Sequence, residues 1–244
     1  MRVCDFIIKY AILIPMKNNL KLLQNALHEH GLDGFMLPVN DEFMGEYIPD
    51  SAKRLEFITG FSGSAGMAVI LKDKAAFFTD GRYTLQAEKQ ITGIELFNSV
   101  DMSPDKWVSE SVEAGKIIGY DPKLHTLNAI RRCEQIASNV TWKPIEPNPV
   151  DALWKDRPRV PKSAVSIQPL EYAGEESSKK RQRIANIISK TSADAVVLTA
   201  PDSICWLLNI RGNDVPFTPF LLCYAILLKS GEVLITMRKA EMEK

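Results

Sequence analysis

"GMAVILKDKAAFFTDGRY", residues 66–83, is the stretch whose reading decides the fold. Two apolar runs, MAVIL and AAFFT, flank the polar Lys72-Asp73-Lys74, which is the pattern of adjacent antiparallel strands joined by a tight turn. The same pattern returns in "LLCYAILLKSGEVLITMRK", residues 221–239. What precedes each hairpin also corresponds. In the first set, "NNLKLLQNALHEHG" (18–31) places Leu20, Leu23 and Leu27 on one helix face with Gly31 as the stop signal. A buried-strand pattern, "GFMLPV" (34–39), follows, then an irregular stretch to Arg54. In the second set, Ile184, Ile187 and Ile188 mark a helix, and "SADAVVLTAPDSICWLLNIRG" (192–212) supplies strand, connection and glycine turn. The order occurs twice, so the chain reads as a duplicated α/β unit.

Outward from the first hairpin, "IELF", "KIIGY" and "TWKPI" read as strands. Ser103-Pro104 starts a helix through Trp107, Val108 and Val112, and another helix spans about Leu127 to Ser138. Strands alternating with helices predict α/β layers with a mixed sheet flanked by helices. The segment "PIEPNPVDALWKDRPRVPKSAVSIQPLE" (144–171) is dense in proline, which predicts an extended connection without regular structure, pinned by Trp154 against a domain face. The expected organisation is an extension over residues 1–16, domain I over 17–147, a linker over 148–170 and an incomplete domain II over 171–244. Setting "LITMRK" on "FFTDGRY" brings Lys244 opposite about Glu88 and leaves residues 89–150 of the first unit without a counterpart. A half-built sheet has an unpaired edge and an uncovered apolar face, so the expectation is a piece of a longer protein.

Composition bounds the function. Lys and Arg number 30 against 30 Asp and Glu, and 45% of residues are hydrophobic. A balanced charge argues against a protein dedicated to nucleic acid. No run approaches the roughly 20 apolar residues of a membrane span, and Asp5 and Lys9 interrupt the apolar N-terminus with no small-residue cleavage site after it, so no signal peptide is expected. Cys4, Cys133, Cys205 and Cys223 lack C-x-x-C spacing and read as reduced thiols of a cytoplasmic protein.

Chemistry-bearing clusters are scarce. His28 and His30 stand two apart, about 200° around a helix, and cannot clamp one metal; His125 is remote in sequence. Asp41, Glu42 and Glu46 form the nearest carboxylate cluster, with no histidine beside it, and read as a polar loop. "GFSGSAG" (60–66) is neither a nucleophile elbow nor a dinucleotide fingerprint, since its glycines lead into a strand; tight reversal and close packing account for them. No nucleophile with a base, no metal ligand set and no phosphate loop can be assembled. Arg82, directly after Asp80-Gly81, is either a solvated residue at a turn or a ligand contact.

Taken together, "RLEFITGFSGSAGMAVI", "AAFFTDGRYTLQAEKQI", "VDALWKDRPRVP" and "SICWLLNIRGNDVPFTPFLLCYAILL" resemble the N-terminal portion of three-domain Xaa-Pro aminopeptidases, in the creatinase/prolidase superfamily. The resemblance covers about residues 17–238. It implies two creatinase N-terminal-like domains, the second truncated, ahead of a catalytic pita-bread domain that is missing here and that holds two metal ions, usually manganese. The implied substrate is a peptide with proline second, whose N-terminal residue is removed. It further implies that no metal or catalytic residue lies in this chain, that Arg82 contacts bound peptide, and that Arg211-Gly212-Asn213-Asp214 faces the catalytic domain; a structural turn is the other reading of that loop. Trp206 and Phe220 read as core. The resemblance leaves a homodimer of the full-length form open. A stand-alone binding module and one half of a split aminopeptidase are the alternatives.

Overall fold

A computed structural model describes residues 17–236, which fall into two compact units. The extension over residues 1–16, Cys4, and the end of the second hairpin motif from residue 237 onward lie outside the described residues. The first unit takes residues up to Leu37, Leu55–Tyr120 and Arg131–Trp154; the second takes Pro38–Arg54, Asp121–Ile130 and Lys155 onward.

Through the first part of the chain the elements run α1 (Lys17–Glu29), β1 (Gly34–Pro38), α2 (Arg54–Thr59), β2 (Met67–Leu71), β3 (Ala75–Thr79), α3 (Thr84–Gln90), β4 (Glu95–Asn98), α4 (Pro104–Ser111), β5 (Ile117–Tyr120), α5 (Leu127–Ile136), β6 (Thr141–Pro144) and α6 (Pro149–Leu153). The sheet order is β4-β3-β2-β1-β5-β6. The β2–β3 hairpin is antiparallel, with Met67 opposite Phe78, whereas β1–β5, β3–β4 and β5–β6 are parallel. The sheet is therefore mixed, and β1 and β3 are buried along their whole length. That burial explains why they read as continuous apolar runs and not as alternating ones. Helix α1 packs on β2 and α6, and α4 packs on β2. Phe35, Phe61, Phe77 and Phe78 fill the centre, each worth about 1.5–3 kcal/mol of burial.

The proline-dense segment departs from its reading. Asn148 caps α6, its side chain accepting from Val150 N at 3.0 Å, and Pro149 occupies the first helical position. Proline there forfeits no intrahelical bond and already has helical φ, so proline density did not exclude a helix. Trp154 stacks on Phe57, ring centroids 4.8 Å apart, which pins the segment as expected.

The remaining elements are β7 (Ser166–Ile167), α7 (Leu170–Ala173), α8 (Ser177–Ile188), β8 (Ala195–Leu198), α9 (Pro201–Leu208), β9 (Ile210–Arg211), β10 (Tyr224–Leu228) and β11 (Val233–Thr236). The sheet β11-β10-β8 repeats the order β3-β2-β1 of the first unit, and α8 and α9 take the places of α1 and α2 in the chain order. A helix thus precedes each hairpin, α2 starting at Arg54 where the irregular stretch ends and α9 within the connection before the second glycine turn. Ala225 and Leu227 turn to the buried face with Ile204, Leu207 and Ile188. Ile226, in register with Val197 and Leu234, turns the other way, where Val197 is 65% exposed and Leu234 50%. Among the described residues no strand pairs with the outer edge of β8. The loop Pro38–Arg54 joins this unit through specific bonds. Tyr224 Oη donates to Glu42 O at 2.8 Å, its ring stacks on Phe43, and Arg157 Nε donates to Ser51 O at 2.7 Å.

Candidate functional site

Arg82 follows the end of β3. Asp80 makes the turn there: its Oδ1 accepts from Arg82 N at 2.9 Å, and its backbone carbonyl accepts from Tyr83 N at 3.0 Å. Gly81 is the second residue of this turn. It does not have a positive φ, and a methyl group placed on it would meet nothing within 4 Å. The aspartate side chain, which mimics a backbone turn, therefore makes the turn without calling on the glycine's conformational freedom.

The same carboxylate holds the guanidinium as a fork, with Nε to Oδ1 at 3.0 Å and Nη2 to Oδ2 at 2.8 Å. These hydrogen bonds from Arg82 draw the Asp80 carboxyl below the usual carboxylate range. The arginine side chain is 68% exposed, so screening makes the pair a weak contributor to stability. Its effect is orientation: the two bonds fix the plane of the guanidinium.

The surroundings are polar and ordered. Arg82 lies 5.4 Å from the Tyr83 ring centre, and Tyr83 Oη shares a 2.8 Å hydrogen bond with Ser64 Oγ. Ser62 Oγ accepts from Gln90 at 2.9 Å and Gln86 at 3.2 Å. The glycine-rich loop is thereby tied to α3. Gly60 closes α2 with φ +77°, and Gly63 and Gly66 leave room for the Phe61, Tyr83 and Phe77 rings, in line with the packing explanation of that loop. Reading the sequence identified Arg82 but missed Asp80 as its holder; an Asp two residues before an Arg in a turn is the signal that could have found it.

The Arg211–Asp214 loop resolves differently along its length. Buried Asp214 accepts from Ser163 N at 3.0 Å through Oδ1 and from Leu222 N at 2.8 Å through Oδ2. A methyl group on Gly212 would lie 2.7 Å from Phe220 O and 2.9 Å from Leu221 Cα. Gly212 and Asp214 are structural, while the Arg211 side chain is exposed. Trp206, read as core, is 50% exposed. Lys180 was not singled out, yet it is 2% exposed and donates to Trp206 O at 2.9 Å and Asn209 Oδ1 at 2.7 Å. Its charge faces the carbonyl end of α9, where the helix dipole favours a cation.

His28 is exposed and His125 buried. Asp41 is buried with Oδ1 accepting from Phe43 N and Gly45 N, and burial raises its carboxyl above the ordinary range. Among the described residues no three His, Cys, Asp or Glu groups come together as a metal site, and no helix is long and apolar enough to cross a membrane.

Comparison with known proteins follows the same outline. A Probable Xaa-Pro aminopeptidase P of Paracoccidioides lutzii is 35% identical over 224 residues, covering 89% of this chain and 36% of that protein. Aminopeptidase P1 of Lotus japonicus is 34% identical over 235 residues, covering 93% and 36%. The crystal structure of X-prolyl aminopeptidase from Caenorhabditis elegans, described as a cytosolic enzyme with a di-nuclear active site, superposes with a TM-score of 0.87 at 29% identity over 95% of this chain and 40% of that one. The chain thus spans about 36% of the length of the curated relatives it matches. With one Creatinase/Prolidase N-terminal domain model matching residues 19–153, more than half of the sequence, and a second matching 156–244, the chain belongs to the creatinase/prolidase family and corresponds to the N-terminal portion of its aminopeptidase P members.

Proposed function

We propose that this chain is the non-catalytic N-terminal part of a metal-dependent Xaa-Pro aminopeptidase, which removes the N-terminal residue from peptides with proline second. In this reading Arg82 contacts the bound peptide. The observation that supports it is the Asp80–Arg82 fork: an exposed arginine of little consequence for stability is nonetheless held in one orientation. A guanidinium already engaged as a fork by Asp80 suits peptide carbonyl oxygens better than a bidentate carboxylate.

The domain limits proposed are 17–147 and 171–244, separated by a linker over 148–170 and preceded by an extension over 1–16. A pair of metal ions, manganese in this reading, would belong to the complete enzyme, and the cytoplasm is its proposed location. The residues described here do not fit such a pair, so no step is assigned to metal held by this stretch. The test is release of the N-terminal residue from an Xaa-Pro-Pro peptide with added manganese. The purified 244-residue chain is expected to show none, and robust turnover by it would overturn the proposal.

A further inference from the structure

The second unit contains a cavity of about 260 Å³ between α7, α9 and the loop before β10, lined by Tyr172, Trp206, Phe220, Arg211, Lys180 and Asp202 among others. Two aromatic rings at its mouth stand in water, Tyr172 at 72% exposure and Trp206 at 50%. The indole is nevertheless fixed: the Lys180 ammonium, anchored on Trp206 O and Asn209 Oδ1, lies 4.5 Å from its ring centre. A ring ordered before its ligand arrives saves the entropy of ordering it on binding.

Of the polar groups lining the cavity, Gln168 and Tyr172 can each donate and accept. Trp206 Nε1 and the Arg211 guanidinium can only donate, and neither has a hydrogen-bond partner among the described residues. Asp202 is the one carboxylate, and its Oδ1 already accepts from Ser203 N. A ligand that brings apolar rings for Trp206 and Tyr172 and bare acceptors for Arg211 and Trp206 Nε1 complements this lining. A polyproline II stretch has these properties, since proline has no N–H and the extended helix leaves its carbonyls unpaired. Aromatic-lined grooves are a general means of recognising it.

We propose that this cavity binds a proline-rich peptide stretch in the polyproline II conformation. The inference stands on the cavity's own chemistry and not on the role given to Arg82. The test uses the full 244-residue chain and the peptide Ala-Pro-Pro-Ala-Pro-Pro-Ala, acetylated and amidated, with an all-alanine counterpart as control. Indole N–H resonances are followed by nuclear magnetic resonance, and Trp206 is assigned with Trp206→Phe. The expected result is a saturable shift of the Trp206 signal with the proline peptide alone, weakened about tenfold or more in Arg211→Ala, where a hydrogen bond to a charged group is lost. Tyr172→Ala, at an exposed position, weakens it with the melting temperature unchanged, and Arg82→Ala leaves it intact. Absence of a shift at millimolar peptide, equal binding of the alanine peptide, or full affinity in both Arg211→Ala and Tyr172→Ala would overturn the proposal. Loss of binding in Arg82→Ala would overturn it as well. An Arg82→Ala enzyme of full activity would instead refute the proposed function and leave this cavity's role standing.

Discussion

Two glycines that each follow a strand, Gly81 after β3 and Gly212 after β9, have opposite consequences when replaced by alanine. At Gly212 the added methyl group would sit 2.7 Å from Phe220 O and 2.9 Å from both Leu221 N and Leu221 Cα. All three neighbours are backbone atoms, which cannot rotate aside, and the same loop is bound by Asp214 to Ser163 and Leu222. Overpacking of this kind costs about 1–3 kcal/mol. For a protein of this size each kcal/mol moves the melting temperature by about 2–4 °C, so Gly212→Ala should lower it by roughly 2–12 °C. At Gly81 the methyl group meets nothing and φ is not positive. Gly81→Ala should therefore stabilise by about 0.4–1 kcal/mol through the unfolded chain. Thermal unfolding followed by circular dichroism, with urea midpoints as a check, compares the two variants. A Gly212→Ala chain that melts with the parent, or a Gly81→Ala chain that melts clearly below it, would refute the reasoning that backbone approach decides the first site and Asp80 the turn at the second.

Other predictions concern separate parts of the molecule. Lys180→Met keeps the aliphatic stem but removes the donor to Asn209 Oδ1 and leaves Trp206 O with Asn209 N alone, at 3.4 Å; loss of these hydrogen bonds from a charged group costs about 1–3 kcal/mol, read as a lower urea midpoint. Burial pushes the Cys133 thiol up to about 11 and also raises Cys205, so both should resist iodoacetamide at pH 8 in the folded chain and react after unfolding in urea; rapid labelling of either in the native state would contradict their burial. The backbone N–H of Ile117 and then Lys72 hold the Asp33 carboxyl below its ordinary value of 3.8. A lowered folded pKa gives stability that is present above the unfolded value and lost as pH falls through the folded one. Asp33→Asn should accordingly be less stable than the parent at pH 7, with the difference shrinking below about pH 4 in paired melting curves.

Much of the architecture could be read from the sequence because its signals are local. Both hairpins announce themselves as apolar runs split by short polar turns, and Gly31 and Ser103-Pro104 mark helix ends where α1 and α4 stop and start. What escaped depends on partners distant in sequence or on one residue overriding a composition. Lys180 sits in the charged run SSKKRQR, which reads as a solvated face, and becomes buried only because α9 ends against it. Helix α6 was hidden by the prolines around it, although Asn148-Pro149 is a helix start when read as a pair. Trp206 looked like core on apolarity alone, while its neighbours on α9, Ile204, Cys205 and Leu207, take the buried face. Arg82 was visible through its motif, whereas the aspartate that orients it emerged from the geometry.

The central claim is that Arg82 is held for a peptide and not for the fold. It is tested most directly by kcat/KM for an Xaa-Pro-Pro peptide in the complete enzyme with and without Arg82→Ala, alongside the melting temperature of both forms. The account predicts a loss of about tenfold or more, the scale of a hydrogen bond to a charged group, with melting unchanged. Undiminished kcat/KM, or a variant that loses activity only in step with a lowered melting temperature, would contradict it.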